Sequence, residues 1–138
     1  MVTVLKAKLS SKNKYWVEKH RHYELKHFCL QYPHWEKAYK EADGFMRGGT
    51  NESYSRLSTP GDPTAKCVDI RTLYLERMDL VRRIAYETDP YLAEYVFRAV
   101  TEGLSYTQLN LKYDIPCGKD MYYDRYRRFF WLLNQARK

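Results

Sequence analysis

The stretch from Asp89 to Gly118 is punctuated more tightly than any other part of the chain, and that punctuation restricts the fold more than composition does. Asp89-Pro90 reads as an N-cap followed by proline in the first helical position, where its missing amide donor costs nothing. Leu92, Tyr95, Val96 and Ala99 then recur at helical spacing on one inward face, and Gly103 supplies the stop, since glycine adopts the left-handed end conformation without strain. Ser105-Tyr-Thr-Gln108 follows as a capping box, in which serine and glutamine each satisfy an end amide. After the turn Asp114–Gly118 a further helix is expected from about Lys119 to Ala136. Three helices with minimal loops between them point to an all-α bundle.

Upstream, Ile70, Leu73, Tyr74, Val81, Ile84 and Ala85 recur at helical spacing and predict a long amphipathic helix from about Lys66 to Thr88. Residues 43–66 hold four of the six glycines, Pro60, Pro63 and a run of Ser, Thr and Asn, which reads as a flexible linker. Before it, a helix is expected over Glu18–Gln31 with Tyr23, Leu25, Phe28 and Leu30 as its apolar residues. Pro33 ends it, because proline lacks the amide donor and disfavours helix in the preceding residue. A short helix over His34–Glu41 follows, with Trp35, Ala38 and Tyr39 on one face. Residues 1–17 carry a short strand or loose arm around Val2, Val4 and Leu5. The expected organisation is a basic aromatic N-terminal unit over 1–42, a linker over 43–66 and a helical domain over 67–138.

Charge follows the same division. The net +7 is split as nine Lys/Arg against three acids in residues 1–40, eight against eleven in 41–102, and seven against three in 103–138. Two basic ends around an acidic middle suit a protein that meets a polyanion with both termini. No apolar run approaches the roughly 20 residues that cross a bilayer, and the apolar start is too short for a secretory signal; a cytoplasmic setting is the expectation. Cys29, Cys67 and Cys117 are odd in number and widely spaced, which favours free thiols. His20, His22, His27 and His34 lack the carboxylate or second cysteine that would complete a zinc spacing, so no metal is expected. No Ser-His-Asp arrangement or phosphate-cradling glycine motif is present, so neither a catalytic residue nor a cofactor is assigned.

Within residues 119–136, Tyr122, Tyr126, Phe129, Phe130 and Leu133 fall at i, i+4, i+7, i+8 and i+11, one stripe that must dock on the preceding helices. The opposite side carries Asp120, Asp124, Arg127, Arg128 and Trp131, with Lys119 at the start and Tyr123 beside the stripe. A short capped helix, a tight turn and a longer basic-aromatic helix are the parts of a helix-turn-helix DNA reader over 103–136, whose second helix meets base edges with its first turns and phosphates with its flanks. Lys112, Lys119, Tyr123, Arg127 and Arg128 are the expected contacts with double-stranded DNA. Asp124 and Arg128, four residues apart, are expected to pair. Asp120, Asp124 and Trp131 suit a protein partner better than phosphates and mark an alternative surface. The run Lys14-Tyr-Trp-Val-Glu-Lys-His-Arg-His-Tyr23 mixes bases and aromatics, as phosphate-binding surfaces do.

Gly103-Leu-Ser-Tyr106, Leu109 and Asp114-Ile115-Pro116 match in order the C-terminal helix-turn-helix of bacterial sigma factors, although Asp114 stands where that pattern has glycine. With Tyr122-Tyr-Asp-Arg-Tyr-Arg-Arg128, the chain resembles the small sigma-like regulators of Gram-positive phages and prophages, the late-operon activators of the RinA and ArpU kind. The specific match covers roughly 103–133. The resemblance implies an all-α bundle with a sigma-region-4-like helix-turn-helix and a basic N-terminal arm. It also implies a phage-encoded, sequence-specific transcriptional regulator acting in the bacterial host cytoplasm. A homodimer is a further expectation, because palindromic sites pair with two-fold proteins, although no heptad seam is visible. The alternative is an interaction module that grips host RNA polymerase, a packaging enzyme or a host defence nuclease.

Overall fold

The computed structural model describes residues 12–47 and 63–138. Those residues are all-α, with six helices and no strand among them: α1 Lys19–Leu30, α2 Tyr32–Arg47, α3 Pro63–Thr88, α4 Ala93–Glu102, α5 Tyr106–Tyr113 and α6 Lys119–Ala136. Two compact units result, one comprising the chain through Gln31 together with Val81–Lys138, the other Tyr32–Leu80.

In the first unit α6 is the axis. Tyr122, Tyr126, Phe129, Phe130 and Leu133 are all buried, so the predicted stripe is the core-facing side of the helix. Both α1 and α4 pack on it and on each other. From α1 come Leu25, Phe28 and Cys29; from α4, Val96, Phe97, Ala99 and Val100; from the last turns of α3, Val81, Ile84 and Ala85, all buried. His22 of α1 stands edge-on to Phe130 with ring centroids 4.8 Å apart. Burial, then the nearby Lys26 charge, holds the His22 imidazole down at a pKa of about 4, so it packs as a neutral ring.

Local chemistry sets the ends of these helices. Glu18 caps α1, its carboxylate accepting from the amides of His20 at 2.9 Å and Arg21 at 3.4 Å. At the far end of α6, Arg21 donates from Nε to Asn134 Oδ1 at 2.8 Å and from Nη2 to the Arg137 carbonyl at 2.9 Å. A cation thus meets carbonyls that a helix C-terminus leaves without partners. Gly103 ends α4 at φ 71°, and a Cβ there would stand 3.2 Å from Leu30 Cδ2.

Several boundaries differ from expectation. Asp89-Pro90 does not open α4, which begins at Ala93. The Asp89 carboxylate instead accepts from the Tyr91 amide at 2.9 Å and from Arg125 Nε at 2.8 Å, building a turn rather than a cap. Pro33 does not separate two helices by a gap; it occupies the first turn of α2, where its absent donor has no partner to lose, and α2 runs on to Arg47. Residues 43–47 and 63–66 of the expected linker are therefore helical, and 48–62 lie outside the described residues, as does the expected strand or arm around Val2, Val4 and Leu5. The expected 1–42 unit is divided, with α1 in the first compact unit and α2 in the second.

In the second unit Trp35 is fully buried, with the Tyr32 ring 6.1 Å away and the Arg77 guanidinium 5.8 Å above it. Arg71 donates to the Tyr39 hydroxyl at 3.1 Å and lies over the same ring. Ile70 and Leu73, placed on the inward face by spacing, are each 43% exposed.

Two predictions follow from these end and core positions. Gly103→Ala should destabilise by about 1–2 kcal/mol, since a Cβ in the left-handed region is strained and presses on Leu30, whereas Asp114→Gly should cost less than about 0.5 kcal/mol; urea denaturation separates the two. For His22, the unfolded imidazole takes up a proton below about pH 6.5 and the folded one only below about 4. Its contribution is therefore complete above pH 6.5 and falls by about 3 kcal/mol on descending to pH 4. Denaturation midpoints across that range should show the slope in the wild type and lose it in His22→Phe.

Candidate nucleic-acid interface

The pair α5–α6 is fixed by its own side chains. The capping box forms as spaced: Ser105 Oγ accepts from the Gln108 amide at 3.2 Å, and Gln108 Oε1 from the Ser105 amide at 3.0 Å. Leu109 and Ile115 are buried beneath the pair. Asp114 ends α5 in the left-handed region at φ 54°, its amide donating to the Asn110 carbonyl at 2.9 Å. Aspartate is among the few non-glycine residues that tolerate this conformation. Across the turn, the Tyr106 hydroxyl donates to the Cys117 carbonyl at 2.7 Å, and the Tyr106 amide donates to the Tyr123 hydroxyl at 3.4 Å. Helix α6 then opens at Gly118 with no side-chain cap. Its first turn, Lys119–Met121, is half-exposed to exposed, and from Tyr122 onward the helix sinks into the core.

This geometry revises the expected contacts. Tyr123 is 7% exposed with its hydroxyl turned to the Tyr106 amide, so it is a structural side chain and not a groove contact. Arg127 is 13% exposed along its side chain, and its nearest carboxylate, Asp124, stands 4.0 Å away. Its Nε and Nη1 are buried without hydrogen-bond partners among the described residues. Seven residues from Asn134 on the helix, Arg127 lies on the side of α6 that Arg21 of α1 grips, which removes it from the expected duplex-facing set.

The other residues remain at the surface in different degrees. Lys119 is half-exposed at the helix start and Asp120 exposed beside it. Lys112 is 56% exposed along its side chain but bonds Glu102 at 2.7 Å. Burial alone would raise the Glu102 carboxyl; hydrogen bonds from Lys112 and Tyr113 outweigh it and hold that carboxyl below the usual range. Asp124 does not pair with Arg128 as its spacing suggested: it bonds Arg125, whose Nε also reaches Asp89. Trp131 is half-buried, not solvated, because Tyr15 covers it with ring centroids 5.8 Å apart.

Tyr15 also organises the cations. Arg128 Nη1 donates to its hydroxyl at 3.4 Å, and Lys14 Nζ stands 5.0 Å from its ring centre. The mixed run that begins at Lys14 therefore lies alongside α6, and it brings Lys14 and Arg128 into one patch. Met121, Asp124 and Arg128, at i, i+3 and i+7, share the face of α6 that carries this patch. The sequence marks Lys14 and Tyr15 as part of a basic-aromatic run but gives no sign that they meet Arg128. Among the described residues no group of three metal-ligating side chains converges. Burial raises the Cys29 thiol, which leaves it a packed, protonated side chain.

No family model, curated protein or solved structure matches the chain.

A guanidinium buried without full hydrogen bonding contributes little and replacement by a flexible apolar side chain relieves its desolvation. Arg127→Met should therefore leave stability unchanged or raise it by up to about 1 kcal/mol in urea denaturation, whereas Arg125→Met should lower it, because Asp89 and Asp124 lose their shared partner.

Proposed function

We propose that the chain is a sequence-specific double-stranded DNA-binding regulator that presents α5 and α6 as a helix-turn-helix. The carrying observation is that Lys14, Tyr15 and Arg128 meet in one patch against α6, whose uncapped first turn, Lys119–Met121, is half-exposed to exposed. The first turn supplies side chains and uncapped amides to a groove edge and an adjacent phosphate. The patch supplies cations to the neighbouring backbone, where they release counterions. In this reading Lys119 and Asp120 approach bases, while Arg128 and Lys14 hold phosphates; Lys112 is engaged by Glu102, and Tyr123 and Arg127 support the helix. Asp120 serves as an acceptor for a cytosine amine rather than a phosphate contact. The sigma-like pattern over 103–133 adds control of phage late transcription from within the host cytoplasm as the biological setting, with no chemistry performed on the DNA.

A second reading has its own observation. Tyr91 is 88%, Leu111 84% and Tyr86 62% exposed, large apolar side chains that a partner surface would cover. A protein such as host RNA polymerase, a packaging enzyme or a defence nuclease would engage them. A regulator that touches both DNA and polymerase combines the two readings.

Selection of bound duplexes from a random pool, followed by anisotropy titration over a salt series, tests the proposal. Arg128→Glu and Lys14→Glu should each weaken binding at least about tenfold, and each lost phosphate contact should lower the salt slope by about 0.9. Arg127→Met should bind as the wild type does. Failure to enrich any sequence together with no binding at low salt would refute DNA reading; loss of a captured polymerase in Leu111→Asp would then support the second.

A further inference from the structure

A cavity of about 210 Å³ opens behind the α4–α5 turn, between α1 and α6. Its wall is aromatic: Tyr122, Tyr123, Tyr126 and Phe130 line it, with Ala99 of α4 and Lys26 of α1 also among the lining residues. These rings already meet edge to face, Tyr122 with Tyr123 at 4.9 Å and Tyr126 with Phe130 at 5.0 Å. A further ring inserted among them extends the same arrangement, which aromatic quadrupoles favour. The size is informative: an engineered apolar cavity of about 150 Å³ accepts benzene, so this one has room for one ring and a short substituent.

The polar groups around it differ in what they have left to offer. Ser105 and Gln108 spend their side chains on each other's amides in the capping box. The Tyr123 hydroxyl accepts from the Tyr106 amide. Lys26 forms no hydrogen bond or ion pair among the described residues, and it is half-exposed rather than fully solvated. The fully buried Tyr122, in the same wall, has a hydroxyl with no hydrogen-bond partner among the described residues. A ring-lined space with one lysine and no carboxylate among its lining residues selects an apolar body with one negative charge.

We propose that this cavity binds a small aromatic carboxylate, a single ring with an acid arm of one or two carbons, its ring among Tyr122, Tyr123, Tyr126 and Phe130 and its carboxylate on Lys26. The site touches α1, the α4–α5 turn and α6 at once, and it stands independently of whether the chain binds DNA.

Benzoate and phenylacetate, with benzyl alcohol as the neutral counterpart, are the probes, read by saturation-transfer NMR and by chemical-shift titration of the full chain. The acids should bind saturably at millimolar Kd or tighter, as the efficiency of ligands of about ten atoms allows. The alcohol should bind at least about threefold more weakly, the margin a half-exposed ion pair supplies. Lys26→Gln, a surface change that leaves the fold intact, should remove that difference, and Ala99→Leu should abolish binding by filling the space. Absence of saturable binding by all three probes would overturn the site. Equal affinity for acid and alcohol, unchanged in Lys26→Gln, would overturn its assignment to an anion. Should Ala99→Leu fail to fold, the acid–alcohol comparison and Lys26→Gln still decide.

Discussion

The seam between α1 and α6 is the constraint on which the larger unit rests. Tyr126 and Phe130 of α6 close on His22 of α1, while Phe129 and Phe130 meet edge to face at 5.0 Å within α6. Each such ring contributes roughly 1.5–3 kcal/mol when fully buried, so a handful outweighs any surface ion pair in the molecule. Arg21 finishes the seam by gripping Asn134 and the Arg137 carbonyl, and Arg137 in turn lies 3.7 Å over Phe28. Once α1 is seated this way, the orientation of α6 is settled, and with it the side chains that reach water. The burial of Tyr123 and Arg127 and the projection of Lys119–Met121 are consequences of that docking.

What the sequence disclosed was mostly what short-range chemistry decides. Gly103, the Ser105–Gln108 box and the limits Lys119–Ala136 are end signals whose physics lies within four residues, and each stands where it was read. Asp89-Pro90 misled because the same aspartate had a distant use. Arg125, far along the chain, bids for its carboxylate, and a turn that satisfies both outcompetes a helix start. A helical wheel likewise locates the centre of an apolar stripe but not how far neighbouring helices extend around it. Arg127 sits just outside the stripe, yet within the territory α1 covers. Meeting points such as Tyr15 on Arg128 join residues more than a hundred positions apart, and no local pattern encodes them.

Formal charge also overstates the cations available. Glu102 gathers Lys112, Tyr113 and Arg98, and Asp89 with Asp124 gathers Arg125. Burial alone would raise the Asp89 carboxyl; hydrogen bonding from Arg125 and two backbone amides outweighs it, so the group stays ionised and its partner stays engaged. Lys14 and Arg128 instead meet at the Tyr15 ring and hydroxyl.

The discontinuity of this unit has a consequence for biogenesis. Helix α1 is synthesised early, yet the aromatic face that shelters His22, Leu25 and Phe28 belongs to the last helix of the described chain. During translation the part of its apolar side that α6 covers must wait until that helix has left the ribosome. Native closure of this unit is therefore a late, long-range event, and a nascent chain stalled short of Lys119 is a natural client for a chaperone.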